Sequence, residues 1–207
     1  LLDLTTPTQP RWLTGATVDR TNGAYRLSFI PAASNTPYLA AALATAPQPA
    51  LTVDATSTWK TAGINGRHVI VTVPALQPAA QALQAHRNAQ GCPSVVVLLE
   101  DVYDEFSHGT PSPWALRDFL TYAAAHWADP PRYVVLAGSG TYDDRNFTGS
   151  GENLIPTKLV STPNGLFASD QWFADLDENY IPDMAIGRLP ALSNDELQSL
   201  VDRIVVY

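Results

Sequence analysis

From residue 68 onward, short runs of apolar residues alternate with longer stretches in which apolar residues recur at helical spacing. The apolar runs are HVIVTV at 68–73, SVVVLL at 94–99 and YVVLAG at 133–138, and the stretches of helical period are 74–90 and 113–127. Continuous runs of Val, Ile and Leu suit strands that crossover helices bury on both faces. The pattern therefore predicts an α/β fold with a mostly parallel, doubly wound sheet.

The pattern before residue 60 is different. Apolar and polar residues alternate over 11–30, on both sides of Asn22-Gly23, a pair that tolerates the positive φ angles of a tight turn. This predicts a β-hairpin. The stretch 38–59 then holds one or two short apolar strands interrupted by Pro47 and Pro49. We expect a small β-rich segment and linker at 1–60, followed by an α/β subdomain at 61–207.

The last predicted helix has the clearest signals. Ser193 and Glu196 form an S-x-x-E capping box. One apolar stripe follows, made of Leu197, Leu200, Val201, Ile204 and Val205. Because this apolar pattern runs to Tyr207 without a stop signal, we expect the natural polypeptide to continue beyond it.

Charge and cysteine content exclude several classes of protein. The net charge of −8 argues against a nucleic-acid partner, because phosphate backbones are bound by clustered Lys and Arg. No apolar run approaches the roughly 20 residues of a membrane span. With Cys92 as its single cysteine, the chain has no internal disulfide and no cysteine-rich metal site.

The first candidate for a ligand site is the turn after the third predicted strand. Gly138 and Gly140 lie where parallel strands end, which is where ligands tend to bind in open sheets. A dinucleotide fingerprint would need a helix to begin there and a third glycine in register, whereas 141–151 is a polar loop. The alternative is a glycine-rich turn that only leads the chain out of the strand.

The second candidate is the acidic segment DLDENYIPD. Asp175, Asp177, Asn179 and Asp183 occupy positions 1, 3, 5 and 9 of a calcium-loop pattern, and oxygen ligands at that spacing suit Ca²⁺. Position 6 is Tyr180 instead of Gly, and position 12 is Ile186 instead of Glu. These four residues are the predicted metal ligands, and the alternative is a solvated acidic turn before a strand.

Cys92 and the histidines are the remaining candidates for chemistry. A thiol nucleophile needs an adjacent base, and the chain has four histidines: His68, His86, His108 and His126. Cys92 follows a predicted helix end and directly precedes Pro93, where no helix amino terminus lowers its pKa. We therefore interpret Cys92 as structural, and we assign no catalytic residue in this chain.

Several segments together resemble the gingipain-like cysteine peptidases, a family related to caspases. The similarity extends from about His68 to Tyr207, and its strongest pieces are EDVYDEFS, SDQWFADLD, PDMAIGRLP and the final VDRIVVY. The resemblance implies a caspase-like or gingipain-like α/β fold and a cysteine endopeptidase that acts on peptide or protein substrates.

The resemblance also implies that this chain is the first, non-catalytic half of the peptidase domain. Members of the family carry a His-Gly motif and then the nucleophilic Cys in a second half, which would lie beyond Tyr207 and be the partner of this one. His108-Gly109 does not match that motif, because it follows Cys92 and lies within the first half. Ser139 replaces an acidic residue that is frequent in relatives, and Asp170 matches a recurrent position with an expected structural or half-to-half role.

A second function remains open at the level of sequence. The chain could instead be a non-catalytic surface or binding module that retains the gingipain-like scaffold, because a fold alone does not determine function. A bacterial protein that is secreted or displayed at the cell surface is expected under either hypothesis.

Overall fold

The computed structural model describes residues 1–33, 35–42, 53–143, 146–149 and 151–206. Tertiary contacts divide the chain into two compact units, Leu1–Asp54 and Ala55–Tyr207. The segment with Pro47 and Pro49, for which short strands were predicted, lies outside the described residues.

The first unit is built from short antiparallel strands: β1 (Leu2–Asp3), β2 (Arg11–Trp12), β3 (Thr17–Thr21), β4 (Ala24–Ser28) and β5 (Tyr38–Leu39). Strand β1 pairs with β2 and β5. The predicted hairpin is present as β3 and β4, with Thr21 opposite Ala24. Asn22 and Gly23 have φ angles of 52° and 80°, which is the left-handed conformation for which this residue pair was singled out.

The second unit contains these elements in chain order: β6 (His68–Thr72), α1 (Gln77–Ala89), β7 (Ser94–Leu98), α2 (Leu99–Ser107), α3 (Pro113–His126), β8 (Tyr133–Ala137), β9 (Leu159–Thr162), β10 (Gly165–Ala168), β11 (Ala185–Leu189) and α4 (Asn194–Val206). Four strands form one sheet in the order β11-β8-β6-β7, and all its pairings are parallel. The predicted parallel sheet is therefore confirmed.

Helices cover both faces of this sheet. On one face, Val69 and Val71 of β6 belong to a buried cluster with residues of α2 and α3, including the fully buried Phe119. On the other face, Ile70 of β6 packs with residues of α1 and α4, such as Leu83 and Leu197. The doubly wound arrangement follows from this alternation along β6, because successive side chains of a strand point to opposite faces.

The capping residues identified in the sequence form hydrogen bonds at the predicted helix starts. The hydroxyl of Ser112 accepts a hydrogen bond from the backbone N–H of Trp114 at the start of α3. The hydroxyl of Ser193 accepts one from the backbone N–H of Glu196 at 3.3 Å. The Glu196 carboxylate accepts from the N–H of Leu192 at 2.8 Å, one residue before the partner that a capping box would use. These bonds satisfy backbone groups that have no partner within the helices.

In the second unit, helix α2 and the β9–β10 hairpin were not predicted. Helix α2 begins directly after β7, and Leu98 at its amino end offers no capping side chain. The start signal there is limited to the acidic Glu100 and Asp101 in the first turn. The β9–β10 hairpin does have a signal, since Pro163 and Asn164 form the turn and Gly165 follows as the first residue of β10. Gly165 has a φ of 121°, which a residue with a side chain rarely adopts.

Candidate functional site

The carboxyl edge of the sheet contains the point where strand order reverses, between β6 and β8, and ligands often bind at such points. In this chain packed side chains fill the reversal point. A β-carbon on Gly138 would lie 2.8 Å from Cγ1 of Ile155 and 3.5 Å from Cδ1 of Leu76. The glycine therefore permits a close approach of backbone to core side chains, which agrees with the simpler interpretation of this turn.

Arg188, near the end of β11, organises this edge. Its guanidinium forms a two-bond ion pair with Asp170, from Nε to Oδ2 at 2.9 Å and from Nη2 to Oδ1 at 2.7 Å. The remaining donors bind backbone carbonyls, those of Gly138 at 3.0 Å and of Ile155 and Pro156 at 3.1 Å. The Asp170–Arg188 pair thus joins β8, the 155–156 segment and β11, and it gives Asp170 a structural role.

A groove of about 760 Å³ opens beside this ion pair. Asp170 and Arg188 lie along it together with the more exposed Tyr142, Leu166 and Phe167. Leu166 and Phe167 belong to the β9–β10 hairpin, and they remain 66% and 52% exposed. The groove is therefore a concave surface with large apolar side chains at its rim.

The SDQWF segment is also held by stacked cations and rings. The Lys158 ammonium lies 4.5 Å from the ring centre of Trp114 and 4.6 Å from that of Trp172. The Arg117 guanidinium lies 4.7 Å from the ring of Trp172, and it also donates to the backbone carbonyl of Asp175 and to the carboxylate of Glu178. Helix α3 is thereby connected to the acidic loop that begins at Asp175.

Three of the four predicted metal ligands converge. One carboxylate oxygen from each of Asp175, Asp177 and Asp183 lies within 4.8 Å of the others. Oxygens that all coordinate one Ca²⁺ at 2.3–2.6 Å lie no further apart than about 5 Å, so the spacing fits this ion. The amide of Asn179 is engaged within the loop, where its Oδ1 accepts from the N–H of Ile181 at 2.7 Å and its Nδ2 donates to Asp177 at 2.9 Å.

The loop backbone supplies the sharp turn that a glycine would usually make. Tyr180, at the position where the calcium-loop pattern has Gly, adopts a φ of 69°, and Glu178 adopts 62°. Backbone N–H groups of Asn179 and Tyr180 donate to the Asp175 carboxylate at 3.0 Å each. These bonds from neighbouring backbone groups stabilise a conformation that is unfavourable for residues with a β-carbon.

Cys92 and the histidines lie in separate hydrogen-bonding environments in the described part of the chain. Within the described chain, no hydrogen bond joins the Cys92 thiol to an imidazole. His68 is bonded through Nδ1 to the hydroxyl of Ser94 at 2.8 Å, and burial lowers its pKa to about 4. His126 stacks on Tyr122, and His108 ends α2 with a left-handed φ of 54°. His108 is thus a helix-terminating residue.

The EDVYDEFS segment forms most of α2, and its side chains anchor the segment that leads into β6. The Glu105 carboxylate accepts hydrogen bonds from the backbone N–H groups of Trp59 at 2.8 Å and Lys60 at 3.0 Å, and from the hydroxyl of Ser57 at 2.5 Å. Trp59 then packs its ring against Phe119 and Trp127. This contact attaches the segment that leads into β6 to the core of the α/β unit.

Sequence reasoning missed Arg188, which is the best-connected polar side chain of this edge. A signal was present, because Arg188 is the only charged residue in the otherwise apolar strand sequence AIGRL. A charged residue in a half-buried strand needs a partner, since burial of an unpaired charge is costly. The partner, Asp170, was singled out only through the family resemblance.

Comparisons with known proteins agree with this geometry. The sequence model of peptidase family C25 matches residues 62–207. Among solved structures, dimeric latent PorU from Porphyromonas gingivalis is 27% identical with a TM-score of 0.58, over 68% of this chain and 15% of the PorU chain. The Arg-specific cysteine proteinase gingipain R is 24% identical with a TM-score of 0.52, over 69% of this chain and 28% of that chain, and it supports the fold.

The search of curated proteins finds no match to this chain. The family model covers well over half of the chain, and the two structural neighbours are much longer than the part that this chain spans. Together with the parallel sheet and the helices on both of its faces, this match establishes that the chain belongs to peptidase family C25, the gingipain family.

Proposed function

We propose that residues 61–207 form the first, structural half of the peptidase domain of a gingipain-like cysteine endopeptidase. In this proposal a second half supplies the catalytic Cys and His, and peptides or proteins are the substrates of the complete enzyme. The chain by itself does not hydrolyse peptides. The observation that carries the proposal is the lack of any hydrogen bond between Cys92 and a histidine in the described residues of a chain that belongs to this family.

The position of Cys92 supports the same conclusion. It precedes β7 and therefore lies at the amino edge of a parallel sheet, whereas Arg188, Asp170 and the large groove lie at the carboxyl edge. Reactive groups of open parallel sheets are placed at carboxyl edges. The groove rim formed by Tyr142, Leu166 and Phe167 is the surface that we assign to contact with the catalytic half, because large exposed apolar side chains commonly mark interfaces.

The proposal predicts that the purified chain is inactive. Incubation with a panel of fluorogenic peptides under reducing conditions should give no hydrolysis that iodoacetamide inhibits, and Cys92→Ala should behave like the parent chain. Peptide hydrolysis that iodoacetamide blocks and that Cys92→Ala abolishes would contradict the assignment. Extending the chain with the polypeptide that its gene encodes after Tyr207 should confer activity, provided that this polypeptide carries a His-Gly motif followed by a Cys.

The same extended chain distinguishes the peptidase from the alternative, a non-catalytic module that retains the scaffold. Inactivity of a folded extended chain, or the lack of a downstream Cys, would favour the module. We place either protein outside the cell or at the bacterial surface, on the basis of family membership and the net charge of −8. Among the described helices, none combines the length and apolar character needed to cross a membrane.

We also propose that the acidic loop binds Ca²⁺ through Asp175, Asp177 and Asp183, with Asn179 supporting the ligands. The three converging carboxylates provide hard oxygen donors, and Arg117 fixes the loop from outside through the carbonyl of Asp175. A bound cation would reduce the repulsion between the carboxylates. Its role in this proposal is structural, since it would secure the connection between the SDQWF segment and β11.

Calcium is therefore expected to raise the melting temperature of the chain. At a concentration 100-fold above the Kd, binding to the folded state alone stabilises it by about 2.7 kcal/mol, or about 5–10 °C for a domain of this size. Thermal unfolding in CaCl₂ and in EDTA measures the difference. Asp177→Asn should remove the effect, because it removes the charge of one proposed ligand. The fold should persist, because Asp177 is exposed and its hydrogen bonds within the described chain come from Asn179.

The matched control is Asp118→Asn, which removes one exposed carboxylate from α3 and should leave the calcium response unchanged. Equal melting temperatures in CaCl₂ and EDTA would refute the calcium site. An equal calcium response in Asp177→Asn would show that the ion binds elsewhere, which also contradicts the proposed ligands.

A further inference from the structure

A second cavity, of about 510 Å³, lies at the opposite edge of the sheet from the Asp170–Arg188 pair. We call it the amino-edge cavity, and define it by His68, Arg87, Cys92, Val135 and Ala185. His68 and Ala185 are the first residues of β6 and β11, and Val135 is the third residue of β8. Arg87 lies in the last turn of α1, which packs on the same face of the sheet. The cavity thus combines an apolar floor, supplied by the sheet, with polar groups at one side.

The imidazole of His68 directs a free nitrogen into this space. The residue is only 5% exposed, and its Nδ1 is paired with Ser94. Every fully buried side-chain nitrogen or oxygen among the described residues has a hydrogen-bond partner, whereas Nε2 of His68 has none in that part of the chain. Nε2 is therefore the part of the ring that keeps access to the cavity. If the Ser94 hydroxyl donates to Nδ1, Nε2 carries the proton and offers a donor to a ligand.

Among the described residues, no carboxylate pairs with the arginines at the cationic side of the cavity. Arg87 donates from Nη1 to Oε1 of Gln90 at 3.1 Å, and no carboxylate of the described chain forms an ion pair with it. Arg203 of α4 lies with Arg87 along an adjoining cavity of about 370 Å³ and likewise has no ion pair among the described residues. Two uncompensated arginines at one opening are notable in a chain with a net charge of −8.

We propose that the amino-edge cavity binds a small carboxylate that carries an apolar group. The Arg87 guanidinium would hold the carboxylate by a charge-assisted hydrogen bond, Nε2–H of His68 would donate a second bond, and the apolar group would cover Val135 and Ala185. A volume of about 510 Å³ lies in the range of small-molecule sites. Such a ligand is either a simple branched-chain acid or the carboxyl terminus of a short peptide. The inference does not depend on the proposed peptidase function.

Titration with 4-methylpentanoate, followed by NMR of the His68 ring and of the Val135 and Ala185 methyl groups, tests the proposal. We expect saturable shifts of these signals, and binding that is at least about tenfold weaker for the neutral 4-methylpentanamide, because a hydrogen bond between charged groups is lost. N-acetyl-leucine has the same side chain plus a peptide-like amide. Tighter binding of N-acetyl-leucine would identify a peptide terminus, and tighter binding of 4-methylpentanoate a simple acid.

Arg87→Gln is the test variant, because Arg87 is half-buried at the end of α1 and its side chain donates a hydrogen bond to the neighbouring Gln90, so the fold should persist. It should weaken binding of either acid by about tenfold or more. Arg26→Gln, an exposed arginine of β4 with the same change in charge, should leave binding unchanged. Binding that does not saturate, that the amide matches, or that Arg87→Gln leaves intact would overturn the proposal.

The single cysteine gives an independent readout. Since Cys92 lies along the same cavity, a bound acid should slow its alkylation by iodoacetamide, and this protection should be lost in Arg87→Gln. Saturable NMR shifts without protection of Cys92 would place the acid at another site and contradict the assignment to this cavity.

Discussion

Replacing Arg188 by methionine is expected to lower the free energy of unfolding of the α/β unit by about 3 kcal/mol. The variant leaves the Asp170 carboxylate without its ion pair and the carbonyls of Gly138, Ile155 and Pro156 without their donor. The Arg188 side chain is only 14% exposed, so water replaces these bonds incompletely. Urea denaturation followed by tryptophan fluorescence measures the change.

Arg67→Met provides the matched control. It also removes an arginine–aspartate pair, but the Arg67 and Asp129 side chains are 41% and 22% exposed, and their distance is 3.2 Å. Exposed ion pairs contribute about 0–1 kcal/mol. If both variants lost stability equally, the special role of the Asp170–Arg188 pair would be disproved.

The second large effect is expected for Gly140→Ala, which should lower the free energy of unfolding by about 3 kcal/mol or prevent correct packing of the carboxyl edge. The added β-carbon would overlap Oγ1 of Thr157, lie 2.5 Å from the carbonyl oxygen of Ile155 and lie 3.1 Å from Nη1 of Arg188. A backbone carbonyl has little freedom to move away. The substitution therefore displaces the segment whose carbonyls Arg188 binds.

Gly63→Ala is the control, because a β-carbon at Gly63 meets no atom within 4 Å. Its stability should stay the same or rise by up to about 1 kcal/mol through the reduced entropy of the unfolded chain. The combined variant Gly140→Ala/Arg188→Met should lose less than the sum of the single losses, since both changes disturb the same contacts. Full additivity would show that Gly140 and Arg188 act separately.

The sequence predicts the candidate site only where its geometry depends on residues that are close together in the chain. The convergence of Asp175, Asp177 and Asp183 follows from spacing within nine residues, and their carboxylates are oriented by N–H groups of the same loop. The engagement of Asn179 with Ile181 depends on the φ angles of the turn, which the sequence pattern does not report. The calcium assignment thus remains a proposal that rests on local geometry.

The side chains that meet at the two edges of the sheet could not be predicted without the tertiary structure. Asp170 and Arg188 are 18 residues apart, and the carbonyl of Gly138 is 50 residues from Arg188. No local pattern states which of the acidic residues pairs with which arginine. The amino-edge cavity likewise joins His68, Arg87 and Ala185, which meet only because β6 and β11 flank β8 and α1 packs against the sheet.

The amino-acid sequence by itself determined three strands of the parallel sheet (β6, β7 and β8), three of the helices and the Asn22-Gly23 hairpin, because apolar periodicity and capping residues act over a few neighbouring positions. The family was also recognisable from its short motifs. Tertiary structure alone decided the Asp170–Arg188 pair, the close approach at Gly140 and the free nitrogen of His68 in its cavity. These features depend on the order β11-β8-β6-β7, which brings distant residues together through long-range packing.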